Sequence, residues 1–492
     1  MRPSVLRRLP ARRGVTALLA AAALAFHPGA SARDAPDGAG VHPHAIRLID
    51  LWLEAMQAHG QFPSLVASVV KGDGVAFSRG YGYADGQGKV PATPETIYSI
   101  CSISKLFTSI AVMQLQESGR LRLDDEIAAH LPESRLRQAD GSSGPATIRS
   151  VLMHASGLPR EAAGDYWTGP YYRFPSREEM LTALSGQDMS GRTLASHQYS
   201  NLGMALLGEI VTRVSGEPYD RYVQSRILDP LGMARTSPRV PGELRGTRLA
   251  VGHGARKRDG TREQLGTFDA SGLQAAAGFS STVGDLSSFV LWQLRVLRTG
   301  KSEILHPSSL REMQRIQWTD PDGKTTWGLG FLAFRSGSDV VVGHGGSCPG
   351  YRAFVAAIPA KEIGVVVAMN SMDRIQPIWR GVLELAQMSP TKAADSTGAG
   401  KAPAPADYAG RYSFQPWSAE TVVVPWGSDL AELTLPVEKP KEALTILRYV
   451  GQDRFRATRD GKSLPETYTF LRDGTGRVQH LRIGAATAVR VD

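Results

Sequence analysis

The chain has 492 residues, 42% of them hydrophobic, and a formal net charge of +9. Five of these nine charges are arginines among the first 32 residues, which leaves +4 on the rest of the chain. With no Lys/Arg block between aromatic residues, this charge gives no indication of a nucleic-acid partner. Two cysteines exclude a disulfide-rich scaffold, and the eleven histidines form no His-Glu-x-x-His or similar ligand spacing. We therefore expect neither a metal nor a cofactor.

Residues 1–32 have the pattern of a secretory signal peptide. A basic segment is followed by an apolar run at 15–26 and by Ala30-Ser31-Ala32, a small-residue cleavage site. The apolar run is too short to span a bilayer, and no other stretch of spanning length occurs. We expect the mature protein to be periplasmic or secreted, with no transmembrane segment. Arg12-Arg13 leaves both the general and the twin-arginine export routes open.

Hydrophobic periodicity predicts an α+β domain over residues 43–388. The predicted elements are a helix at 44–59, a hairpin of strands at 65–71 and 75–81, a helix at 102–118, helices at 201–214 and 283–299, strands at 340–344, 351–358 and 364–369, and a helix at 375–388. Strands near both ends with helices between them predict one antiparallel sheet flanked by helices, with a mostly helical region inserted.

The last hundred residues have a different composition. Residues 389–406 are rich in Ala, Gly, Asp and Pro and are predicted to be a linker. Residues 407–492 show short alternating segments separated by turns that contain Gly and Asp. This pattern predicts a small all-β module.

Ser102 and Lys105 are the first candidates for chemistry. A spacing of three residues brings both side chains to one face of a helix but to opposite faces of a strand. Of three Ser-x-x-Lys quartets, the one at 68–71 lies in a predicted strand and the one at 389–392 contains a proline. Only the quartet at 102–105 lies on a predicted helix.

A serine at a helix N-terminus lies among unpaired N–H groups, which would stabilise an oxyanion formed during acyl transfer. Lys105 would accept the hydroxyl proton if burial lowers its pKa, or relay it through a hydrogen bond. The alternative for Ser102 and Lys105 is an N-cap serine followed by a solvated lysine.

Two further motifs bear on chemistry. Tyr199-Ser200-Asn201 begins a predicted helix, and a tyrosine beside a lysine can act as a general base because the cation favours the phenolate. The alternative is a partly buried tyrosine followed by an asparagine helix cap. Residues 343–347 end a predicted strand, where glycines permit close approach of a substrate and the Ser347 N–H would be an oxyanion donor. The alternative there is a tight turn with an ordinary strand histidine.

The three motifs occur in the order and approximate spacing of a known enzyme superfamily. They are Ser-x-x-Lys at 102–105, Tyr-x-Asn at 199–201 and His-Gly-Gly at 344–346. Together they resemble the serine β-lactamase and penicillin-binding protein superfamily, specifically its class C β-lactamase and D,D-peptidase-like branch. Further stretches similar to this family lie at 152–159, 199–208, 228–233, 277–282 and 343–350. The resemblance implies a β-lactamase/transpeptidase-like fold, and the last module is similar to the lipocalin-like barrels that follow some family members.

The resemblance implies a role for each matching residue. Ser102 would be the nucleophile, with Lys105 and Tyr199 as the proton-transfer pair, and Asn201 would orient the substrate amide. His154 also matches a family position, and we interpret it as structural.

The third motif would form the substrate-binding and oxyanion strand. His344, Gly345, Gly346 and Ser347 would lie along the acyl group, with the N–H groups of Ser102 and Ser347 as the oxyanion hole. Many class C β-lactamases have lysine where this chain has His344. Lysine supplies a permanent cation for a substrate carboxylate, whereas histidine is mostly uncharged near neutral pH. This difference favours a peptidase- or esterase-like hydrolase over an efficient β-lactamase.

Cys101 and Cys348 flank the first and third motifs, which such a fold would bring together. A disulfide in an oxidising compartment is one hypothesis, and two separate small buried side chains are the other.

The resemblance thus implies an exported serine hydrolase that forms an acyl-enzyme on Ser102 and cleaves an amide or ester bond. Its activity would be D,D-peptidase-, D-aminopeptidase- or esterase-like, on an ester, a D-amino-acid peptide or a β-lactam. The alternatives are a class C-type β-lactamase and a non-turnover penicillin-binding or sensor protein of the same fold.

Overall fold

The computed structural model describes residues 40–134, 136, 144–390 and 403–492. The predicted signal peptide and most of the predicted linker lie outside these residues. Within the described part of the chain, no helix combines the length and apolarity needed to cross a membrane.

The helices lie mainly in the first three quarters of the chain. They are α1 (Pro43–Gly60), α2 (Ser104–Glu117), α3 (Ile127–His130), α4 (Ile148–Leu152), α5 (Arg177–Ala183), α6 (Asn201–Ser215), α7 (Tyr219–Val223), α8 (Gln274–Ala277), α9 (Val283–Thr299), α10 (Pro307–Gln314), α11 (Gln376–Leu385) and α12 (Pro440–Ala443). The longer helices begin and end at local signals. For example, the Ser200 hydroxyl accepts from the Gly203 N–H at the start of α6, and Gly216 ends the helix at φ +76°.

The strands form three sheets. They are β1 (Ser64–Lys71), β2 (Gly74–Gly82), β3 (Ile97–Ser99), β4 (Ser280–Thr282), β5 (Trp318–Thr319), β6 (Thr326–Trp327), β7 (Leu332–Ser336), β8 (Asp339–Cys348), β9 (Tyr351–Ile358), β10 (Ile363–Met369), β11 (Gly410–Ser413), β12 (Glu420–Trp426), β13 (Asp429–Leu435), β14 (Thr445–Gly451), β15 (Arg454–Arg459), β16 (Lys462–Arg472), β17 (Val478–Ile483) and β18 (Ala486–Arg490). The first sheet has the antiparallel order β2-β1-β10-β9-β8-β7-β6-β5, and β3 pairs with β4.

The large sheet separates two hydrophobic cores. On β1, Val66 belongs to the core shared with the inserted helical region, whereas its neighbours Leu65 and Ala67 belong to the core shared with α1 and α11. This alternation is the period-2 pattern of a strand that is buried on both faces. The α+β prediction is therefore confirmed.

Strands β11 to β18 close into an eight-stranded antiparallel barrel. Its interior is filled by aromatic and aliphatic side chains, among them Tyr408, Tyr412, Phe455 and Phe470. The predicted lipocalin-like β module is therefore present as a barrel with a packed interior.

One predicted element is longer than expected. The strand predicted at 340–344 continues as β8 to Cys348, so the glycines of the third motif lie inside a strand and not in a turn after it. A side chain at Gly346 would place its Cβ 2.1 Å from the Ile100 carbonyl oxygen, so this close backbone approach requires glycine. Because β7 pairs with β8 only as far as Gly343, the later residues of β8 present a free backbone edge.

Candidate active site

The residues around Ser102 hold it in a constrained backbone. Ser102 lies in a 3₁₀ turn, Cys101–Ile103, that leads directly into α2. Cys101 has φ +50°, which is the left-handed region that non-glycine residues rarely occupy. Next to it, the Ser104 hydroxyl donates to the Cys101 carbonyl at 2.5 Å and accepts from the Phe279 N–H at 3.0 Å. The nucleophile candidate is thus fixed at the start of the helix.

Lys105 is completely buried beneath Ser102. Its Nζ lies 3.1 Å from Ser102 Oγ, 2.7 Å from Asn201 Oδ1 and 2.7 Å from the Ala276 carbonyl oxygen. Burial lowers the pKa of Lys105 well below its ordinary value, with Glu161 opposing the shift and Arg160 adding to it. The alternative of a solvated lysine is therefore wrong.

Asn201 links the lysine to an acid that the sequence did not single out. Its Oδ1 accepts from Lys105, and its Nδ2 donates to Glu161 Oε1 at 2.7 Å. The other oxygen of Glu161 accepts from the Tyr166 hydroxyl at 2.7 Å. No spacing rule connects Glu161 with Lys105, so the sequence held no signal for this role beyond its place just after a family-like stretch.

Tyr199 lies beside the same lysine. The centroid of its ring is 4.8 Å from Lys105 Nζ and 5.1 Å from Arg160 Cζ. Burial raises the pKa of Tyr199, and a hydrogen-bonding interaction with Ser102 and the charge of Arg160 oppose the shift. A raised pKa keeps Tyr199 a neutral phenol, whereas from the sequence we expected Lys105 to favour the phenolate. The physical reason is that the site is desolvated, which disfavours every isolated charge.

His344 lies on β8, buried and beside the same cavity. Its Nδ1 is 2.7 Å from the Gly345 carbonyl oxygen. Because a carbonyl oxygen only accepts, Nδ1 carries the proton and Nε2 is an acceptor, for which the described residues supply no donor. Burial, together with the charge of Lys105, lowers the pKa of His344 to about 3. The side chain is therefore neutral at physiological pH.

His154 supports the second motif from below. Its Nδ1 accepts from the backbone N–H of Ser200 at 3.2 Å, and its ring lies 4.2 Å from that of Tyr199, centroid to centroid. These contacts agree with a structural role in holding the turn before α6.

The candidate residues meet at a cleft of about 420 Å³. Its lining includes Ser102, Tyr199, His344, Gly345, Gly346 and Ser347. Lys105 and Asn201 are not part of this lining: Lys105 Nζ contacts Ser102 Oγ from below, and Asn201 contacts Lys105. The structure thus brings together every residue that the sequence proposed for the site.

Cys101 and Cys348 form a disulfide, with a Cα–Cα separation of 5.7 Å. The bond joins the residue before Ser102 to the residue after Ser347. The disulfide hypothesis is therefore confirmed, and the alternative of two separate buried cysteine side chains is wrong.

A family model described as Beta-lactamase matches residues 49–381. The chain belongs to the beta-lactamase family. A curated relative, "Protein flp" of Staphylococcus aureus (strain MRSA252), is 26% identical over 340 residues, which cover 67% of this chain and 64% of flp. The chain therefore spans slightly less than two thirds of the length of that relative.

The fold is shared with solved structures of other proteins. The octameric penicillin-binding protein homologue from Pyrococcus abyssi has a TM-score of 0.61 and 24% identity, covering 90% of this chain and 100% of that chain. The D-amino acid amidase from Ochrobactrum anthropi SV3, complexed with D-phenylalanine, has a TM-score of 0.56 and 25% identity, covering 69% and 95% respectively. The family model confirms the family predicted from the motifs, which is one of serine hydrolases, and the solved structures confirm the predicted fold.

Proposed function

We propose that the protein is an exported serine hydrolase that cleaves an amide or ester bond through an acyl-enzyme on Ser102. The observation that carries this proposal is the position of the buried Lys105 Nζ, in contact with Ser102 Oγ and two carbonyl oxygens. A neutral amine has two protons, which serve the carbonyl oxygens of Asn201 and Ala276. Its lone pair is then left for the hydroxyl proton of Ser102.

In the proposed first step, Ser102 Oγ bonds to the substrate carbonyl carbon while its proton passes to Lys105 Nζ. The carbonyl π electrons move to the oxygen, where the N–H groups of Ser102 and Ser347 are the proposed donors. Collapse of this intermediate breaks the bond to the leaving group, which takes up a proton, and leaves an ester on Ser102. Water then attacks that ester, with the same proton transfers, and releases the acid.

Tyr199 is the proposed carrier of the proton between Lys105 and the leaving group. Its ring lies beside Lys105 Nζ and also lines the cleft. A phenol can accept a proton from the ammonium while donating its own, so it need not become a phenolate between steps. The raised pKa of Tyr199 supports this role.

The structure supports a proposal for the chemical class of the substrate. The free edge of β8 offers backbone groups to an extended acyl group, which suits a peptide or peptide-like ester. The similarity to a D-amino acid amidase supports an amide or ester of a D-amino acid. A neutral His344 lacks the permanent charge expected at this place in an efficient class C β-lactamase.

Intact-mass analysis combined with turnover assays tests the proposal. We expect hydrolysis of p-nitrophenyl acetate and one fluorophosphonate label per chain, with both lost in Ser102→Ala. Ser118→Ala, exposed just beyond the other end of α2, is the matched control and should behave as wild type. Undiminished hydrolysis in Ser102→Ala would contradict the proposal. Rapid nitrocefin turnover would indicate a β-lactamase, and a stable penicillin adduct without turnover would indicate a sensor.

Export is the second part of the proposal. It rests on the signal-like segment at 1–32 and on the Cys101–Cys348 disulfide, since such bonds persist in oxidising compartments. The same mass measurement, made on protein recovered from the periplasm or medium, should give a chain that begins at Arg33. A chain that retains residues 1–32 would contradict export by cleavage at this site.

A further inference from the structure

One wall of the cleft is formed by a segment that is mostly irregular. Residues 370–376, which we call the wall segment, lead from the end of β10 into the first residue of α11. Two of them, Ile375 and Gln376, line the cleft that contains Ser102. Holding an irregular backbone in one conformation costs conformational entropy, so contacts from outside the segment must determine where this wall lies.

A second irregular segment contacts the wall segment from outside the cleft. Residues 252–265, which we call the arm, fold back on themselves, and the Gly254 N–H donates to the Glu263 carbonyl oxygen at 2.8 Å. Among the described residues that line the cleft, none belongs to the arm. The His253 N–H donates to the Asn370 carbonyl oxygen at 3.0 Å, which places the arm beside the start of the wall segment.

A buried ion pair joins the arm to the wall segment. Arg262 Nη1 lies 2.9 Å from Asp373 Oδ2, and Arg262 Nη2 donates to Asp373 Oδ1 at 3.1 Å. The side chain of Arg262 is 7% exposed and that of Asp373 is 22% exposed. The Ser371 hydroxyl also donates to Asp373 Oδ2, at 2.7 Å. Because two nitrogens face two oxygens, the pair fixes the direction of the contact as well as its distance.

The position of Asp373 connects this ion pair to the cleft. Asp373 lies two residues before Ile375 in the chain. The carbonyl oxygen of the preceding residue, Met372, accepts from Nε of Arg352 at 3.3 Å, and Arg352 is another lining residue. A displacement of Asp373 would therefore move Ile375 and alter the support of Arg352 at the same time.

We propose that Arg262 and Asp373 are positioning residues that fix the wall of the cleft against which the substrate is held. The inference rests on the proposed hydrolase function and adds two residues that act on the substrate only through the wall segment. It assigns a role to the arm, which holds the wall from outside the cleft.

The proton-transfer network lies outside this connection. The three polar atoms that Lys105 Nζ contacts belong to Ser102, Asn201 and Ala276, and none of these residues is in the wall segment or the arm. Loosening the wall should therefore change how a substrate is held and leave the proton transfer intact. The kinetic signature of such a change is a raised KM with kcat retained.

Two esters of different length test the assignment. The acetyl group of p-nitrophenyl acetate extends little beyond Ser102, whereas the acyl chain of p-nitrophenyl octanoate is long enough to use the apolar part of the lining, which includes Leu332, Phe354 and Ile375. Arg262→Met should raise KM for the octanoyl ester roughly 10-fold, with little change in its kcat or in acetyl ester hydrolysis. Arg262→Lys keeps the charge but loses the two-nitrogen contact, so its KM should rise less.

A double variant separates positioning from stability. Removing one partner of a buried ion pair leaves an unpaired charge and destabilises a protein, whereas apolar residues of similar volume often replace both partners without loss of stability. Arg262→Met combined with Asp373→Leu should therefore recover the thermal midpoint of the wild type but keep the raised KM for the octanoyl ester. Arg295→Met is the matched control, because Arg295 makes a two-nitrogen contact with Glu303, at 2.7 Å for each bond, outside the cleft lining. It should leave both KM values unchanged.

Each outcome supports or overturns one of the two proposals. An unchanged KM for the octanoyl ester in Arg262→Met, an equal change in Arg295→Met, or a double variant that regains the wild-type KM together with its stability would overturn the positioning role. The same is true if wild-type protein hydrolyses the acetyl ester but neither hydrolyses nor is inhibited by the octanoyl ester. Acetyl ester hydrolysis that persists in Ser102→Ala would instead overturn the hydrolase proposal itself.

Discussion

The two sides of the cleft are built in different ways. On the helical side, Lys105 contacts three polar atoms, and Asn201 is held between Lys105 and Glu161. On the strand side, His344 Nε2 and the Nη groups of Arg352 have no hydrogen-bond partner among the described residues. The network of Lys105, Asn201 and Glu161 is paired without a substrate, whereas the strand side still has polar groups to pair.

This difference indicates that the helical side of the cleft carries out the chemistry and that the strand side recognises the substrate. A buried polar group costs free energy unless it is paired, so unpaired groups in a wall indicate where a ligand completes the structure. The fixed network around Lys105 positions the proton acceptor in advance, which is the arrangement that lowers a reaction barrier. The unpaired groups of β8 and β9 are free to discriminate between substrates.

Replacing Lys105 by arginine should have the largest effect, because it breaks the paired network of the helical side. Arginine remains protonated at all accessible pH values and cannot accept the Ser102 proton, so ester turnover should fall about 10²- to 10⁴-fold.

In the wild type, the lowered pKa of Lys105 means that kcat/KM rises with pH and reaches its plateau well below the ordinary lysine value of about 10.4. Steady-state assays from pH 5 to about pH 10 measure both effects.

The exposed Lys89→Arg variant provides the control and should retain the wild-type profile. A Lys105→Arg enzyme with normal turnover, or a wild-type plateau reached only near pH 10, would contradict the assignment of Lys105 as the base.

The disulfide joins the two sides, so opening it should loosen one relative to the other. Cys348→Ser should lower the free energy of unfolding by about 2–4 kcal/mol, because the bond closes a loop with a sequence separation of 247 residues. Urea denaturation of the variant and of reduced wild-type protein measures this change. A wild-type midpoint that does not move on reduction would contradict a stabilising bond.

A smaller effect is expected at Glu161, where two variants separate charge from hydrogen bonding. Glu161 raises the pKa of Lys105, so Glu161→Gln should lower that pKa further and shift the pH profile to lower pH. The glutamine oxygen still accepts from Asn201, so the plateau rate should fall less than about 10-fold. Glu161→Ala removes both contributions and should lose more activity than Glu161→Gln. A shift of the Glu161→Gln profile to higher pH would contradict this account.

The local parts of this architecture were predictable from the sequence. The helix at 201–214 and the hairpin at 65–81 follow from periodicity and turn residues, and the structure has them within one or two residues. Ser102 and Lys105 were identified because helical spacing alone places them on one face. The pairing of three distant motifs came from the family resemblance and not from any local rule.

The remaining features depend on contacts between distant parts of the chain. The sequence predicts the end of a strand at the glycines of the third motif, with a tight turn as the alternative, but pairing with β9 continues the strand through Gly346. Glu161 and Arg352 acquire their positions through Asn201 and Ser347, which lie elsewhere in the chain. The protonation of Tyr199 depends on burial, which no spacing reveals.

The seam between the barrel and the hydrolase region has a consequence for engineering the protein. Trp52 of α1 packs in one hydrophobic cluster with Val422 and Leu433 of the barrel, and its Nε1 donates to the Val437 carbonyl oxygen at 2.8 Å. A variant truncated before the barrel would therefore expose hydrophobic surface on α1 and leave the Trp52 indole N–H without its acceptor. We expect such a variant to be prone to aggregation. The barrel thus covers the hydrophobic face of α1 and is not a module that can be removed without exposing that face.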